Sequence, residues 1–190
     1  KLLEKFCENI KNNGYKNVEF IVIGDNKTPL EVSSYCEGLE KKFGYSVGYW
    51  DVEAQKKWLK NYPALNDYLP WDSIERRIIG YIIAYNNGND VIISIDDDNF
   101  VVDRNYLETI SHLGKEKVVE TTKSSTGWYN ICEELQTDDN RIFYPRGFPY
   151  SQKWKDEELT LKKANGKLVV QAGMWLLDPD IDAVTRLEKP

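Results

Sequence analysis

The feature that most constrains this chain is the stretch Val91-Ile92-Ile93-Ser94-Ile95-Asp96-Asp97-Asp98-Asn99-Phe100, where a β-branched apolar run ends in three consecutive acids. The run is short and rich in Val and Ile, so it predicts a buried strand rather than a helix. Three adjacent carboxylates repel one another, and folding alone gives no reason to gather them at a strand end. A divalent cation removes that repulsion, because Mg²⁺ and Mn²⁺ take oxygen ligands and are held by one or two carboxylates plus substrate phosphates. The loop beyond the C-terminal end of a strand is also where open α/β sheets bind ligands. The stretch therefore predicts a metal and nucleotide-diphosphate site. Asp and Asn are also ordinary turn residues, so a solvated turn stands beside that reading until the rest of the chain is considered. Two other acid motifs fit poorly. An EF-hand loop needs an oxygen ligand and then Gly where this chain has Phe100 and Val101. A haloacid-dehalogenase-type pattern needs Thr or Val at Phe100.

Composition narrows the classes. A chain of 190 residues fits a single domain, 1–190, with a substantial core. Its 25 basic and 31 acidic residues give a net charge of −6, which argues against nucleic acid as a partner. No apolar run is long enough for a transmembrane segment, and the amino end shows no signal-peptide hydrophobic region. Cys7, Cys36 and Cys132 are odd in number and lack metal-site spacing, so buried thiols in a reduced, cytoplasmic setting are expected. The only histidine, His112, lies in a segment that reads as a surface helix, which argues against His-dependent triads and His-rich zinc sites. Any catalysis then rests on carboxylates, Arg or Lys, and a metal. The 6 Trp, 12 Tyr and 6 Phe suit a core and also stacking against a base or sugar.

Along the chain, Leu2, Leu3, Phe6 and Ile10 recur at helical spacing, with Gly14 as the stop. Val18 to Ile23 reads as a strand closed by Gly24-Asp25-Asn26, and Pro29 opens a helix with Val32, Tyr35, Cys36 and Leu39 on its apolar face, ending near Gly44. Tyr45 to Trp50 is a second strand, and 51–70 an aromatic, irregular segment of short helix and loop. Asp72 or Ser73 caps a helix carrying Ile74, Ile78, Tyr81, Ile82 and Tyr85. After the acidic strand come a helix from Tyr106 to His112, a strand at Lys117 to Thr122, a long functional loop from Gly127 to Lys155, and one or two strands in Leu168 to Leu177. Alternating strands and helices predict a three-layer α/β/α sandwich with a mainly parallel sheet. Asp25 and Asp96 to Asp98 sit at strand ends, and no phosphate-loop or dinucleotide glycine fingerprint is present. A bound metal would then carry the diphosphate.

Further segments sharpen this picture. They are Arg77-Ile78-Ile79-Gly80-Tyr81, Ile95-Asp96-Asp97-Asp98-Asn99-Phe100-Val101, Arg146-Gly147-Phe148-Pro149-Tyr150-Ser151, Gly173-Met174-Trp175-Leu176 and Asp180-Ile181-Asp182-Ala183-Val184-Thr185-Arg186-Leu187. In this order, from about Asp72 onward, the chain resembles the reversibly glycosylated polypeptides, the UDP-arabinopyranose mutase family. It departs from that family's pattern at Asn99, where the family has Cys, at Val184, where it has Pro, and in the exchanged ring types at Phe148 and Tyr150. The family also begins with an earlier strand and continues further, so a short or incomplete member is expected. The resemblance implies a GT-A-like nucleotide-diphospho-sugar transferase fold, a UDP-sugar donor, Mn²⁺ or Mg²⁺, and a place in polysaccharide biosynthesis. It implies that Asp96 and Asp98 are the ribose and metal positions of an Asp-x-Asp motif, with Asp97 between them. It also implies that Arg146 matches the arginine the family reversibly glycosylates.

Asp98 is the expected direct metal ligand, with Asp96 binding ribose hydroxyls or the metal through water. Asp25 is expected to read the uracil ring. Of Arg76 and Arg77, adjacent and so about 100° apart on a helix, Arg77 is the one expected to face the diphosphate. A guanidinium is protonated at ordinary pH and is a poor nucleophile, so Arg146 is expected to bind an anion rather than accept a glycosyl group. Trp128, Phe148, Tyr150 and Trp175 are candidates for stacking, with core packing as their default. The expected activity is metal-dependent glycosyl transfer from a UDP-sugar to an unidentified acceptor. The alternatives are a UDP-sugar mutase or self-glycosylating protein acting through Arg146, and a non-catalytic nucleotide-sugar-binding subunit. Homo- or hetero-oligomerisation is left open.

Overall fold

A computed structural model describes residues 2–136, 142–173 and 180–188. The chain is mixed α/β and divides into two compact units, Lys1–Ser111 and His112–Pro190. Among the described residues no helix is long and apolar enough to cross a membrane.

The first unit is built on a βαβ element. Strand β1 (Glu19–Ile23) pairs in parallel with β2 (Ser46–Trp50), in register from Glu19 opposite Ser46 to Ile23 opposite Trp50. Helix α2 (Val32–Phe43) makes the crossover that a parallel pair requires. It ends on Gly44, whose φ of 77° gives the left-handed cap that lets its N–H reach the carbonyl of Glu40. Alternate residues of β1 serve two cores. Phe20 and Val22 pack with Cys7 and Ile10 of α1 (Leu2–Asn12) and with Cys36, Leu39 and Phe43 of α2. Ile21 and Ile23 pack instead with Leu59 of α3 (Val52–Leu59) and with Ile79 and Ile83 of α5 (Arg77–Asn86). Helices therefore cover both faces of this small sheet, as a parallel pair demands.

Several elements differ from the sequence expectation, each for a physical reason. The irregular segment after Trp50 contains two helices, α3 and α4 (Pro63–Tyr68). Asp51 caps α3 by accepting a hydrogen bond from the Ala54 N–H at 2.7 Å. The buried positions of α3 are Gln55 and Leu59, so half of its inner face is polar and the apolar period is hidden. A short 3-10 turn, Ile74–Arg76, leads into α5. There the buried face is Ile79, Ile83 and Ala84 rather than the expected Ile74, Ile78 and Tyr85, which are exposed. Apolar residues line both sides of this helix, so periodicity alone cannot choose between them. Gly80 lies so near β1 that an added Cβ would stand 3.2 Å from Ile23 Cγ1, which fits the face that turns inward.

The acidic strand is a second correction. Residues 91–95 belong to neither sheet, and Val91, Ile92 and Ile93 are partly exposed. β-branched residues suit a pleated surface but form a strand only when a neighbour completes the ladder. Among the described residues none does. The first sheet thus has two strands, and the wider parallel sheet of a GT-A sandwich is not assembled among the described residues.

The second unit holds an antiparallel pair, β3 (Glu116–Ser124) and β4 (Leu159–Lys167), in register from Glu116 opposite Lys167 to Ser124 opposite Leu159. β4 falls before the expected strands at 168–177, of which 168–173 are in no strand and the rest lie outside the described residues. Its sequence, Leu159 to Lys167, loses apolar alternation after Leu161, so pairing with β3 defines it and periodicity does not. The segment expected as a helix at Tyr106 to His112 is a 3-10 turn, Tyr106–Ile110. The short helix α6 (Ala183–Glu188) lies at the C-terminal end.

The inward face of α5 gives a direct test. Ile79→Ala should lower stability by about 3 kcal/mol in urea unfolding, whereas Ile74→Ala at the exposed position should change it by less than about 0.5 kcal/mol.

Candidate functional site

The C-terminal ends of β1 and β2 are fastened by a buried polar cluster. Gln55 is wholly buried and its Nε2 donates to the carbonyls of Gly24 and Trp50, each at 2.7 Å. Its Oε1 accepts two hydrogen bonds from Arg76, from Nε at 2.9 Å and Nη2 at 2.7 Å. The Arg76 guanidinium lies over the Trp71 ring, 3.5 Å from its centroid. Burial pushes the pKa of Arg76 down from its ordinary value, while the carboxylate of Asp25 acts in the opposite direction. Arg76 is therefore a structural cation inside the unit, a task that its place in the sequence did not reveal. Gln55 gave no signal, because a lone glutamine on a charged helix reads as solvent-facing.

Asp25 stands in the turn that this cluster holds. Its N–H donates to Thr28 Oγ1 at 2.8 Å and its Oδ1 accepts from the Asn26 N–H at 2.8 Å. An added Cβ at Gly24 would meet the Tyr49 hydroxyl at 2.6 Å, so any side chain there requires the Tyr49 ring to shift.

The adjacent Arg77 faces the other way. Its Nη2 donates to Asp96 Oδ1 at 2.7 Å and its Nε to the Ile74 carbonyl at 3.1 Å. The two neighbouring arginines thus have separate tasks, one locked in the core and one presented to the acidic turn. That turn closes on itself: the Asn99 N–H donates to the Asp96 carbonyl at 3.2 Å, and the Asp96 N–H donates to Asn99 Oδ1 at 2.8 Å. Asn99 Nδ2 also reaches Asp98 Oδ1 at 3.3 Å. A cysteine side chain has no amide oxygen or nitrogen to make the contacts of Asn99 Oδ1 and Nδ2, so the departure at Asn99 changes how the acids are held. Asp96, Asp97 and Asp98 are all exposed.

Among the described residues no group of three or more His, Cys, Asp and Glu side chains converges as metal donors. A cation that keeps its waters and binds phosphate oxygens needs fewer, and the exposed oxygen donors of Asp96 and Asp98 fit one of that kind. The thiols do not compete for such a role. Burial pushes Cys7 up to about 11 and also raises Cys36 and Cys132, which keeps all three protonated near neutral pH.

Arg146 belongs to the second unit. Two of the quoted segments meet there: the Arg146 N–H donates to the Asp180 carbonyl at 3.0 Å, the Asp182 N–H donates to the Tyr144 carbonyl at 2.9 Å, and Pro145 bridges Ile181. Arg146 Nη2 pairs with Asp180 Oδ2 at 2.7 Å, with the arginine side chain three-quarters exposed. Asp180 takes part of the guanidinium's donor set and leaves the rest facing solvent. Behind it, Lys153 is buried and pairs with Asp182 Oδ1 at 2.7 Å, a contact without a sequence signal beyond its aromatic neighbours. The same carboxylate oxygen accepts from the Val184 N–H at 3.0 Å, a donor that the family's proline would lack. Trp128 and Tyr150 are exposed, and Phe148 is half-buried. Trp175 lies outside the described residues.

The division of labour between the arginines is testable by urea unfolding. Arg76→Ala should cost about 2–3 kcal/mol, since it strands a buried Gln55 oxygen. Arg77→Ala should cost less than about 1 kcal/mol, as expected for a partly exposed ion pair.

No protein-family model matches the chain. Over 90% of its length it is 29% identical to the probable glycosyltransferase STELLO2 of Arabidopsis thaliana. Over 62% of its length it is 28% identical to the probable glycosyltransferase STELLO1 of the same plant. The matched regions cover 25% and 16% of those proteins, so the chain spans about a quarter or less of the curated relatives it matches. The similarity is thus to proteins described as probable glycosyltransferases, and it does not by itself show the narrower mutase resemblance.

Proposed function

We propose that the chain is a glycosyltransferase domain that binds a UDP-sugar together with a divalent cation. The observation that carries this reading is the acidic turn itself: Arg77 holds Asp96 at 2.7 Å and leaves Asp97 and Asp98 exposed beside it. The Arg77 guanidinium beside the carboxylates of this turn offers the two partners a nucleotide diphosphate needs, a fixed cation and donors for a metal. The similarity to probable glycosyltransferases over most of the chain supports the sugar-nucleotide class.

Asp98 and Asp96 hold the cation in this reading, and Asp96 also accepts from ribose hydroxyls. Arg77 orients Asp96, Asp97 completes the negative rim, and Asp25 reads the uracil edge from the fastened strand end. When bound, Mn²⁺ or Mg²⁺ offsets the charge that develops on the departing diphosphate. Arg146, charge-paired with Asp180, binds an anionic group of a ligand by exchanging partners.

A guanidinium is a poor nucleophile, so the mutase alternative needs a base at Arg146, and the carboxylate beside it is Asp180. The assay is UDP release from a panel of UDP-sugars with Mn²⁺, with and without added saccharide acceptors. Acceptor-dependent release should fall on the order of 100-fold in Asp98→Ala and survive in Arg146→Lys, which keeps the charge. Ring isomerisation of the UDP-sugar without acceptor, lost in Arg146→Lys, would replace transfer by the mutase reading. Binding without either turnover would leave a nucleotide-sugar-binding subunit.

A further inference from the structure

We infer that Tyr81, through its hydrogen bond to Ser94, is a positioning residue for the acidic turn, and that together with Arg77 it sets how tightly the turn holds a divalent cation. The inference rests on the cation-dependent nucleotide-diphosphate reading of that turn and deepens it.

Residues 91–95 belong to neither sheet, so no ladder fixes the run that leads into Asp96. Among the described residues, two side-chain hydrogen bonds tie this run to the rest of the unit. Arg77 Nη2 donates to Asp96 Oδ1 at 2.7 Å, and the Tyr81 hydroxyl donates to Ser94 Oγ at 2.8 Å. Both donors come from α5, one turn apart. Side chains at i and i+4 of a helix lie on one face, about 6 Å apart along its axis. Alternate residues of an extended chain share a side and lie about 6.6 Å apart. The two spacings match, so both contacts close at once, with Arg77 at the helix start on Asp96 and Tyr81 further along on Ser94. The helix itself is seated against β1, where Ile79 and Ile83 pack with Ile21 and Ile23. The two contacts therefore refer the acids to the core of the unit.

Each contact has its own effect. The Arg77 ion pair alone fixes one carboxylate and lets the backbone pivot about it. A second contact two residues upstream removes that freedom and sets the direction in which the chain enters the turn. The turn passes this direction on, because the Asn99 N–H donates to the Asp96 carbonyl and the Asp96 N–H to Asn99 Oδ1. Arg77 engages Oδ1 of Asp96, which leaves the other oxygen, with the Asp98 carboxylate, for the cation. A cation binds acids already held in place more tightly, since less chain freedom is lost on binding. The Tyr81 ring is half-buried in the helix face where the sequence placed it, and only its hydroxyl makes the contact. Phenylalanine would keep the ring and lose the contact.

The test is calorimetric titration of the whole chain with UDP over a series of Mn²⁺ concentrations, on Tyr81→Phe, Ser94→Ala, the double variant and Tyr85→Phe. Tyr85, one turn further along α5 and 76% exposed, serves as the control. The Mn²⁺ concentration that gives half-maximal UDP affinity should rise about fivefold in Tyr81→Phe and in Ser94→Ala, the effect of losing one hydrogen bond of ordinary strength. It should rise no further in the double variant, because both changes break the same bond. Saturating Mn²⁺ should restore UDP binding in each, which a loss of fold would not allow. Tyr85→Phe should match the unaltered chain. An unchanged Mn²⁺ requirement in Tyr81→Phe, an equal shift in Tyr85→Phe, or effects that add in the double variant would overturn the positioning role and leave the donor reading in place. Failure of the unaltered chain to bind UDP at any Mn²⁺ concentration would overturn both, so the two failures are distinguishable.

Discussion

The first unit depends on one buried contact, the double hydrogen bond from Arg76 to Gln55. A guanidinium is costly to bury, and here its charge is spread over an amide oxygen, the Leu69 carbonyl at 3.4 Å and the face of Trp71. In return the amide nitrogen of Gln55 ties the carbonyls at the ends of both parallel strands. The Trp50 carbonyl also accepts from the Gly24 N–H at 2.9 Å, and the Gly24 carbonyl lies next to the turn that carries Asp25. The geometry of that turn therefore follows from a residue pair on α3 and the turn before α5. Because α5 begins immediately after Arg76, the same anchor fixes the start of the helix from which Arg77 reaches Asp96.

How much of this was legible in sequence varies with the physical signal. The βαβ element was clear, since Phe20, Val22 and their neighbours are apolar on both faces and Gly44 marks the end of α2. The buried face of α5 was not, because Ile78, Ile79, Ile82 and Ile83 satisfy either assignment and only packing against β1 decides. The stretch before Asp96 has the composition of a strand without the pairing, and pairing is a long-range property that composition does not contain. β4 shows the converse, a paired strand whose Lys, Asn and Gly residues carry no strand signal.

The site residues divide in the same way. Asp25 and the acids at 96–98 stand out in the sequence because carboxylates follow apolar runs, whereas the Arg77–Asp96 ion pair required the fold. Gln55 was invisible, and Arg76 was noticed without its task being evident. In the second unit, Arg146 was recognised from its motif, but its partner Asp180 and the buried Lys153–Asp182 pair required the fold. The two motif segments prove to be one structure, in which each acid of Asp180-Ile181-Asp182 holds a different cation.

The central claim is that the acidic turn is a cation-dependent nucleotide-diphosphate site. Calorimetric titration of the chain with UDP, with and without Mn²⁺, tests it most directly when repeated on Asp98→Ala. Binding that requires Mn²⁺ and is lost in a folded Asp98→Ala variant is the predicted result. Absence of binding in the folded chain, or binding indifferent to both Mn²⁺ and Asp98, would contradict it and leave Asp96 to Asp98 as a solvated turn.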